Sequence, residues 1–377
     1  MPTQLFVPTY RIDECMKEIR ECLELGWTGL GFKTVAFEDA WKKYSGFAHA
    51  HFLNSATAGL HLAVKVLKER LGWSDGDEII STPLTFVSTN HAILYERMSP
   101  VFADVDASLC LDPCDVERKI TARTRAVIFV GIGGNCGAYQ DIVRICRQHG
   151  IALILDAAHM AGTWYNGEHI GRDSDVTVFS YQAVKNLPTA DSGMICFAQQ
   201  EDDEFARQLS WLGINKDTYT RTQGKSAYKW MYDVEHVGFK YHGNSIMAAI
   251  GLSQLKYLDA DNAYRRQIAA WYDEVLENAA HVERVPITKG CETSRHLYPI
   301  LVDNRDALIL ALNGADIYPG VHYRDNSHYP MYRRLDGTCP SARVKSERIL
   351  SLPMHLRMSR GEATRIAERV IEYAQRD

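Results

Sequence analysis

No run of eighteen apolar residues occurs anywhere in the 377-residue chain, and its first thirty residues carry neither a basic leader nor an apolar signal core. Both absences predict a soluble, unexported protein of the cytoplasm with no membrane partner. An excess of either charge is missing too. Lys and Arg total 42 against 47 Asp and Glu, a net charge of −5 and a pI near 6.3, so there is no global basic surface. Nucleic acid is therefore disfavoured as the main partner, although a local patch that grips a nucleotide stays open. Nine cysteines are scattered singly, Cys110 and Cys114 excepted. An odd count without paired spacing argues against a disulfide framework and fits a reducing compartment. Cys110-x-x-x-Cys114 has half the spacing of a zinc site, but no second Cys/His pair follows, so free thiols near a turn are expected and no metal. Internal repeats, low-complexity tracts and flexible linkers are absent as well.

What is present is apolar and periodic. With 46% hydrophobic residues the chain can bury one large core and a smaller one. From about residue 12 to 255, β-branched apolar runs (AHFLNS, DEIISTP, SPVFADV, RAVIFVG, IALILDAA, VTVFSY and GMICFA) alternate with amphipathic stretches such as ATAGLHLAVKVLKERLG and YQDIVRICRQHG. Strands with almost no polar residue are buried on both faces, which predicts an α/β fold with a mostly parallel, seven-stranded sheet between helices. After the helical stretch SIMAAIGLSQLKYLDADNAYRRQIAAWYDEVLENA the pattern changes to a strand in HLYPILV, a helix in DALILALNG and a closing helix in SRGEATRIAERVIEYAQ. The expected division is a large domain of residues 1–255 and a small α+β domain of residues 256–377, with the boundary inside one long helix.

In open α/β sheets ligands sit beyond the carboxyl ends of strands, and four such junctions carry suggestive residues. At Asn54–Gly59, Ser55 or Thr57 can cap the next helix while free N–H groups accept a phosphate; an ordinary helix cap explains the same residues. Asp156 ends an apolar strand and is followed by His159. A carboxylate there needs a cation, which a protonated pyridine nitrogen would supply, although Asp156 could equally cap a helix. Lys185 follows the strand VTVFS in a stretch with no other charge until Asp191. Desolvation lowers a lysine's pKa and frees its amine for a Schiff base, and Ser180 could give a hydroxyl to a phosphate. A loop lysine that snorkels to solvent is the alternative there. Phe86, after EIIST, could stack on a flat ring or simply fill the core. Together these are the parts that pyridoxal phosphate requires of a protein.

A competing constellation is Gly131-Ile132-Gly133-Gly134-Asn135-Cys136-Gly137, between a strand and a helix, with Asp156 about twenty residues on. It approaches a dinucleotide fingerprint and would make the protein an NAD(P)-dependent oxidoreductase. Its third glycine comes one residue late, as GxGxxxG, a long α/β region precedes it, and it leaves Lys185 without a purpose.

The ordered blocks GWTGLGFKTVAFEDAWKKY, FLNSATAGLHLAV, DEIISTPLTFVSTNHAIL, ILDAAHMAGTWYNGEHIGRDSDVTVFSYQAVKN, GFKYHGNSIMAAIGLSQL, RHLYPILV, VHYRDNSHYPMY and SERILSLPMH resemble the DegT/StrS family of nucleotide-sugar aminotransferases, fold-type-I pyridoxal phosphate enzymes. The resemblance runs nearly the whole length and implies the following. Lys185 is the Schiff-base lysine and the catalytic acid–base, and Asp156 holds the pyridine nitrogen. His159 lies beside the ring hydroxyl, Thr57, Ala58 and Ser180 contact the phosphate, and Phe86 stacks on the ring. A segment matching GFKYHGN completes the phosphate site of a neighbouring subunit, through Lys240 or His242, in a homodimer with shared active sites. GIGGNCGAY and Ser192-Gly193 depart from the family's usual sequence, and both are expected near the sugar. The implied reaction moves an amino group from glutamate to a nucleotide-linked keto-sugar, with a 4-keto-6-deoxy sugar favoured, for surface-polysaccharide or secondary-metabolite sugars. An aminotransferase acting on a keto-cyclitol and a non-catalytic pyridoxal-binding regulator are the neighbouring alternatives.

Overall fold

The computed structural model describes residues 2–215 and 232–375. All seven apolar segments form strands: β1 (His49–Leu53), β2 (Glu78–Ser81), β3 (Ser99–Phe102), β4 (Thr124–Val130), β5 (Ala152–Asp156), β6 (Val176–Ser180) and β7 (Gly193–Phe197). They join in the order β1-β7-β6-β5-β4-β2-β3. Four of the six pairings are parallel, and β7 runs antiparallel to both β1 and β6. The expected α/β class and mostly parallel seven-stranded sheet are the observed fold.

The large sheet is flanked by helices α1 (Ile12–Glu24), α2 (Phe32–Ser45), α3 (Ala56–Leu71), α4 (Val87–Tyr95), α5 (Pro113–Lys119), α6 (Tyr139–His149) and α7 (Gln200–Ser210); α3 to α6 follow β1 to β4 in turn, and α7 follows β7. Alternation along the strands assigns each side chain to a face. Val127 and Phe129 of β4 join Leu153, Leu155 and Phe179 in a core under α2 and α6. Ala126 and Ile128 join Ile154, Val176 and Val178 in the opposite core under α3. With both faces buried, each large apolar side chain contributes about 1.5–3 kcal/mol, which is why these strands carry so few polar residues. Helix α3 starts where Ser55 Oγ accepts the Ala58 amide at 3.1 Å and stops at Gly72, whose φ of 66° is left-handed. Gly150 ends α6 in the same conformation.

The single long helix expected after residue 245 is two, α8 (Ser245–Leu255) and α9 (Leu258–Leu276). Met247, Leu252 and Leu255 of α8 pack on the large core, whereas Ile268, Ala269, Tyr272 and Leu276 of α9 build another. That second core holds α10 (Arg305–Gly314), α12 (Arg360–Ala374) and an antiparallel sheet of β8 (Glu283–Arg284), β9 (Tyr298–Leu301) and β10 (Ile349–Leu352), with α11 (Pro340–Arg348) leading directly into β10. Strand β10 was not among the expected strands, because ILSL follows a helix without a Gly or Pro to mark the change. Residues 3–5 cross to this region: the Thr3 amide donates to Asp316 at 2.8 Å and the Leu5 carbonyl accepts the Met354 amide at 2.9 Å. Among the described residues no helix is long and apolar enough to cross a membrane.

Strand β1, which delivers the chain to Asn54–Thr57, is braced by a buried carboxylate. Glu38 of α2 accepts the Phe52 amide at 2.7 Å, meets His51 Nδ1 at 3.0 Å and pairs with Arg207 at 2.9 Å. Burial by itself raises this carboxyl. Arg207, then His51 and the Phe52 amide, overcome that and hold it down at about 2. A folded-state value below the unfolded one gives stability that is present above about pH 4.5 and lost as pH falls toward about 2. Glu38→Gln is expected to lose about 3 kcal/mol at neutral pH. The gap between the urea unfolding curves of the two proteins should close over that acid window; a gap independent of pH would contradict the role given to Glu38.

Candidate active site

A cavity of about 570 Å³ opens at the carboxyl ends of β5 and β6. Asp156, His159, Ser180, Lys185, Thr57 and Phe86 all line it. Residues expected from four separate junctions therefore meet in one space.

Lys185 is positioned by its neighbours. The chain leaves β6 at Ser180 and turns, with the Lys185 amide donating to the Gln182 carbonyl at 2.8 Å and the Val184 amide to Gln182 Oε1 at 3.0 Å. Asn186, next in sequence, donates to Asn262 Oδ1 and to the Ser294 carbonyl, both at 2.7 Å, and so fastens the turn to α9 and to the segment before β9. The Lys185 amine is thereby held in the cavity wall. Burial pulls its pKa down to about 8, against the opposing pull of Asp156. An appreciable fraction of the amine is neutral near physiological pH, as a nucleophile or base must be.

Asp156 is buried, accepts Thr89 Oγ1 at 2.7 Å and the Ala158 amide at 3.1 Å, and is pushed above the ordinary carboxylate range by burial. Thr89 spends its hydrogen on Asp156, so its oxygen accepts from Thr85 Oγ1 at 2.9 Å. The Ala158 contact is local, and no helix begins at Asp156, so a helix-cap role does not account for it. Both Lys185 and Asp156 are shifted toward their neutral forms. A cationic ring nitrogen against Asp156 would restore its charge, and an aldehyde within reach of Lys185 would use its amine.

At the other end of the cavity lies the N-terminus of α3. Ser55 and Thr57 are in the wall. Ala58 is not: its amide is already taken by Ser55 Oγ, and its side chain faces a neighbouring pocket with His61, Tyr95 and Tyr241. The first-turn amides of Ala56 and Thr57, which lack intrahelical acceptors, and the helix dipole suit an anion such as a phosphate. Gly193 makes this cradle possible. A Cβ there would stand 2.7 Å from the Ala56 nitrogen and 2.8 Å from the Phe179 oxygen.

His159 has a determined tautomer. The Gly133 amide donates to Nδ1 at 3.2 Å, and burial holds the ring pKa well below its ordinary value. The proton is therefore on Nε2, which donates to Tyr323 Oη at 3.0 Å. Around it lie His296 (4.4 Å between rings), His322, whose pKa burial lowers to about 4, and Phe6, stacked on His296 at 5.2 Å. Phe86 is 58% exposed at the mouth, 6.0 Å from the Tyr323 ring. Sequence reasoning missed Thr85, Thr89, Phe6, His296, His322 and Tyr323. The resembling blocks contain most of them, but only the fold carries residues 6, 296 and 322–323 to strands formed before residue 200.

Lys240 and His242 are not in this cavity. The Lys240 amine lies 3.3 Å from the centroid of the Trp211 ring, and His242 Nδ1 donates to the Gly243 carbonyl at 2.7 Å. The glycine loop is not in it either. Residues 132–137 are buried, and a Cβ on Gly133 would stand 3.3 Å from Leu297, so protein fills the space that a dinucleotide's pyrophosphate would need. Asp156 faces Lys185's cavity instead of a ribose site. The GIGGNCGAY departure lies behind His159, and Ser192-Gly193 lies behind the α3 cradle, each against residues of the cavity wall. Neither lines the cavity. Cys110 is buried and Cys114 exposed, and no cluster of three or more potential metal ligands exists among the described residues.

A model of the DegT/DnrJ/EryC1/StrS aminotransferase family matches residues 10–371. The chain is 34% identical over 369 residues to the spore coat polysaccharide biosynthesis protein SpsC of Bacillus subtilis, covering 95% of this chain and 93% of that one. The crystal structure of the aminotransferase TlmJ from Streptoalloteichus hindustanus superposes with a TM-score of 0.90 at 30% identity, over 99% of this chain and 98% of that one. Spr1654 from Streptococcus pneumoniae, described as a sugar aminotransferase, is similar in its PMP form (TM-score 0.91, 27% identity, 100% and 99% coverage) and in its PLP form (0.89, 26%, 100% and 98%). This chain belongs to the DegT/DnrJ/EryC1/StrS aminotransferase family, and its cofactor is pyridoxal 5'-phosphate.

Proposed function

We propose that this protein transfers an amino group from glutamate to a nucleotide-linked keto-sugar, of the 4-keto-6-deoxy type, for surface-polysaccharide or secondary-metabolite sugars in the cytoplasm. The observation that carries the reading is the single cavity in which the Lys185 amine stands between a buried acid and a helix N-terminus. Pyridoxal phosphate, when bound, supplies an aldehyde for that amine and a ring that takes up electrons from the substrate carbon.

The lining of the cavity supports the following roles. Asp156 holds the proton on the ring nitrogen, with Thr89 keeping its second oxygen oriented. Thr57 and Ser180 hydroxyls, with the first-turn amides of α3, hold the phosphate. Ala58 contributes only through the helix it belongs to. Phe86, at the mouth, would cover the ring, and His159, fixed by Gly133 and Tyr323, would flank its hydroxyl. Lys185 Nζ would be the base that takes the proton from the carbon of the amino donor in the first half of the reaction and the acid that gives a proton to the sugar carbon in the second, which its lowered pKa favours. The name of SpsC, a polysaccharide biosynthesis protein, and the sugar aminotransferase description of Spr1654 support a sugar as acceptor. Lys240 or His242 lies outside its own chain's cavity, which agrees with service to a neighbouring copy in a homodimer.

Lys185→Ala and Lys185→Arg should abolish the borohydride-fixed cofactor on the peptide containing residue 185 and lower turnover at least about a thousandfold. Retained turnover in either variant contradicts the assignment. The substrate reading is tested by loading the enzyme with glutamate, removing the keto acid, and challenging it with a panel of keto-sugar nucleotides and keto-cyclitols. Amination of a 4-keto-6-deoxy nucleotide sugar is expected. A response to cyclitols alone would replace that reading, and no exchange with glutamate at all would favour a non-catalytic regulator. Sedimentation should give a dimer, and a fully active monomer would overturn the shared site.

A further inference from the structure

Behind Lys185, on the side away from the main cavity, lies a second and much smaller one of about 10 Å³. It shares Phe6, Val184 and Lys185 with the wall of the first and is otherwise bounded by Asp261, Arg265 and His355, among others. Its size admits about one water-sized particle.

Arg265 is the anomaly. It is 6% exposed, yet among the described residues it makes no ion pair, and its one hydrogen bond runs from Nη1 to the Met354 carbonyl at 3.2 Å. Its Nε is buried with no partner. The nearest carboxylate, Asp261, is already claimed, since Arg11 grips both of its oxygens at 2.7 and 2.6 Å. Two guanidinium groups thus share one carboxylate, and one positive charge is left over in the interior. Buried His355 lines the same cavity but makes a hydrogen bond with the Gln4 backbone, so the unsatisfied donor there is Arg265 Nε. Buried donors are normally satisfied, and a buried guanidinium without a counter-charge of its own is costly.

We propose that this cavity is an anion site, in which Arg265 holds one chloride-sized ion beside Lys185. A monatomic anion satisfies three facts together: the surplus charge, the orphaned Nε donor and the small volume. Water satisfies the donor but leaves the charge. A carboxylate or phosphate is too large, which separates this site from the one that takes the substrates.

The test uses crystals of the pyridoxal phosphate holoenzyme grown with bromide in place of chloride. An anomalous difference peak in hydrogen-bonding contact with Arg265 is expected. Water in that position, with no anomalous signal, overturns the proposal whatever other measurements give. In solution, replacing gluconate by chloride at constant ionic strength should raise the Tm of the holoenzyme by a few degrees, because the ion binds only the folded chain. That rise should vanish in Arg265→Met. A chloride response that persists unchanged in Arg265→Met places the ion elsewhere and also overturns the assignment.

Discussion

An ionisable group taken out of water must find an opposite charge or give up its own, and the active site is built around two such groups at the ends of adjacent strands. Asp156 closes β5 and Lys185 follows β6, its parallel neighbour. Burial moves the acid up and the amine down, so each stands near its neutral form. A protein designed for stability alone would have paired or removed them. Pyridoxal phosphate bound in this cavity would supply both complements, a cationic nitrogen for the acid and an aldehyde for the amine.

The rest of the site keeps other charges away from that pair. His159, His296 and His322 crowd the same wall, and burial lowers the pKa of all three. Their neutrality has a structural basis. The Gly133 amide can only donate, so Nδ1 of His159 must accept, and the imidazole is locked as one tautomer with Tyr323 as its partner. The glycine-rich loop that resembles a dinucleotide fingerprint thus serves to orient a side chain. Glycines at 133 and 134 adopt φ of 62° and 90°, and at 133 the neighbouring segment through Leu297 leaves little room for a side chain.

The scaffold was legible because its physics is local. A sheet buried on both faces demands unbroken apolar runs, and the seven runs read from the sequence are the seven strands. Gly72 and Gly150 end their helices in the left-handed conformation, a local requirement after the last turn. Strand β10 and the break between α8 and α9 were less visible. Neither is marked by Gly or Pro, and each is set by which core the adjoining residues reach. Within the site, Lys185, Asp156, His159, Thr57, Ser180 and Phe86 stood out because each sits at or shortly after the end of a strand. Thr89, Phe6, His296 and Tyr323 carry no such mark. The Ala58 amide is taken by Ser55 Oγ, a detail of capping geometry that residue types alone do not show.

The amino-acid sequence by itself determined the layered α/β architecture, the strand ends at which chemistry gathers, and the family, because these depend on periodicity and on residue types close together in the chain. Only the tertiary structure decided that the glycine loop is filled by protein, that residues near positions 6, 296 and 323 complete a cavity begun by β5 and β6, and that Arg265 is left without a counter-charge. Each of those is a matter of what occupies a volume. Occupancy is settled by contacts between residues a hundred or more positions apart, which no local pattern encodes.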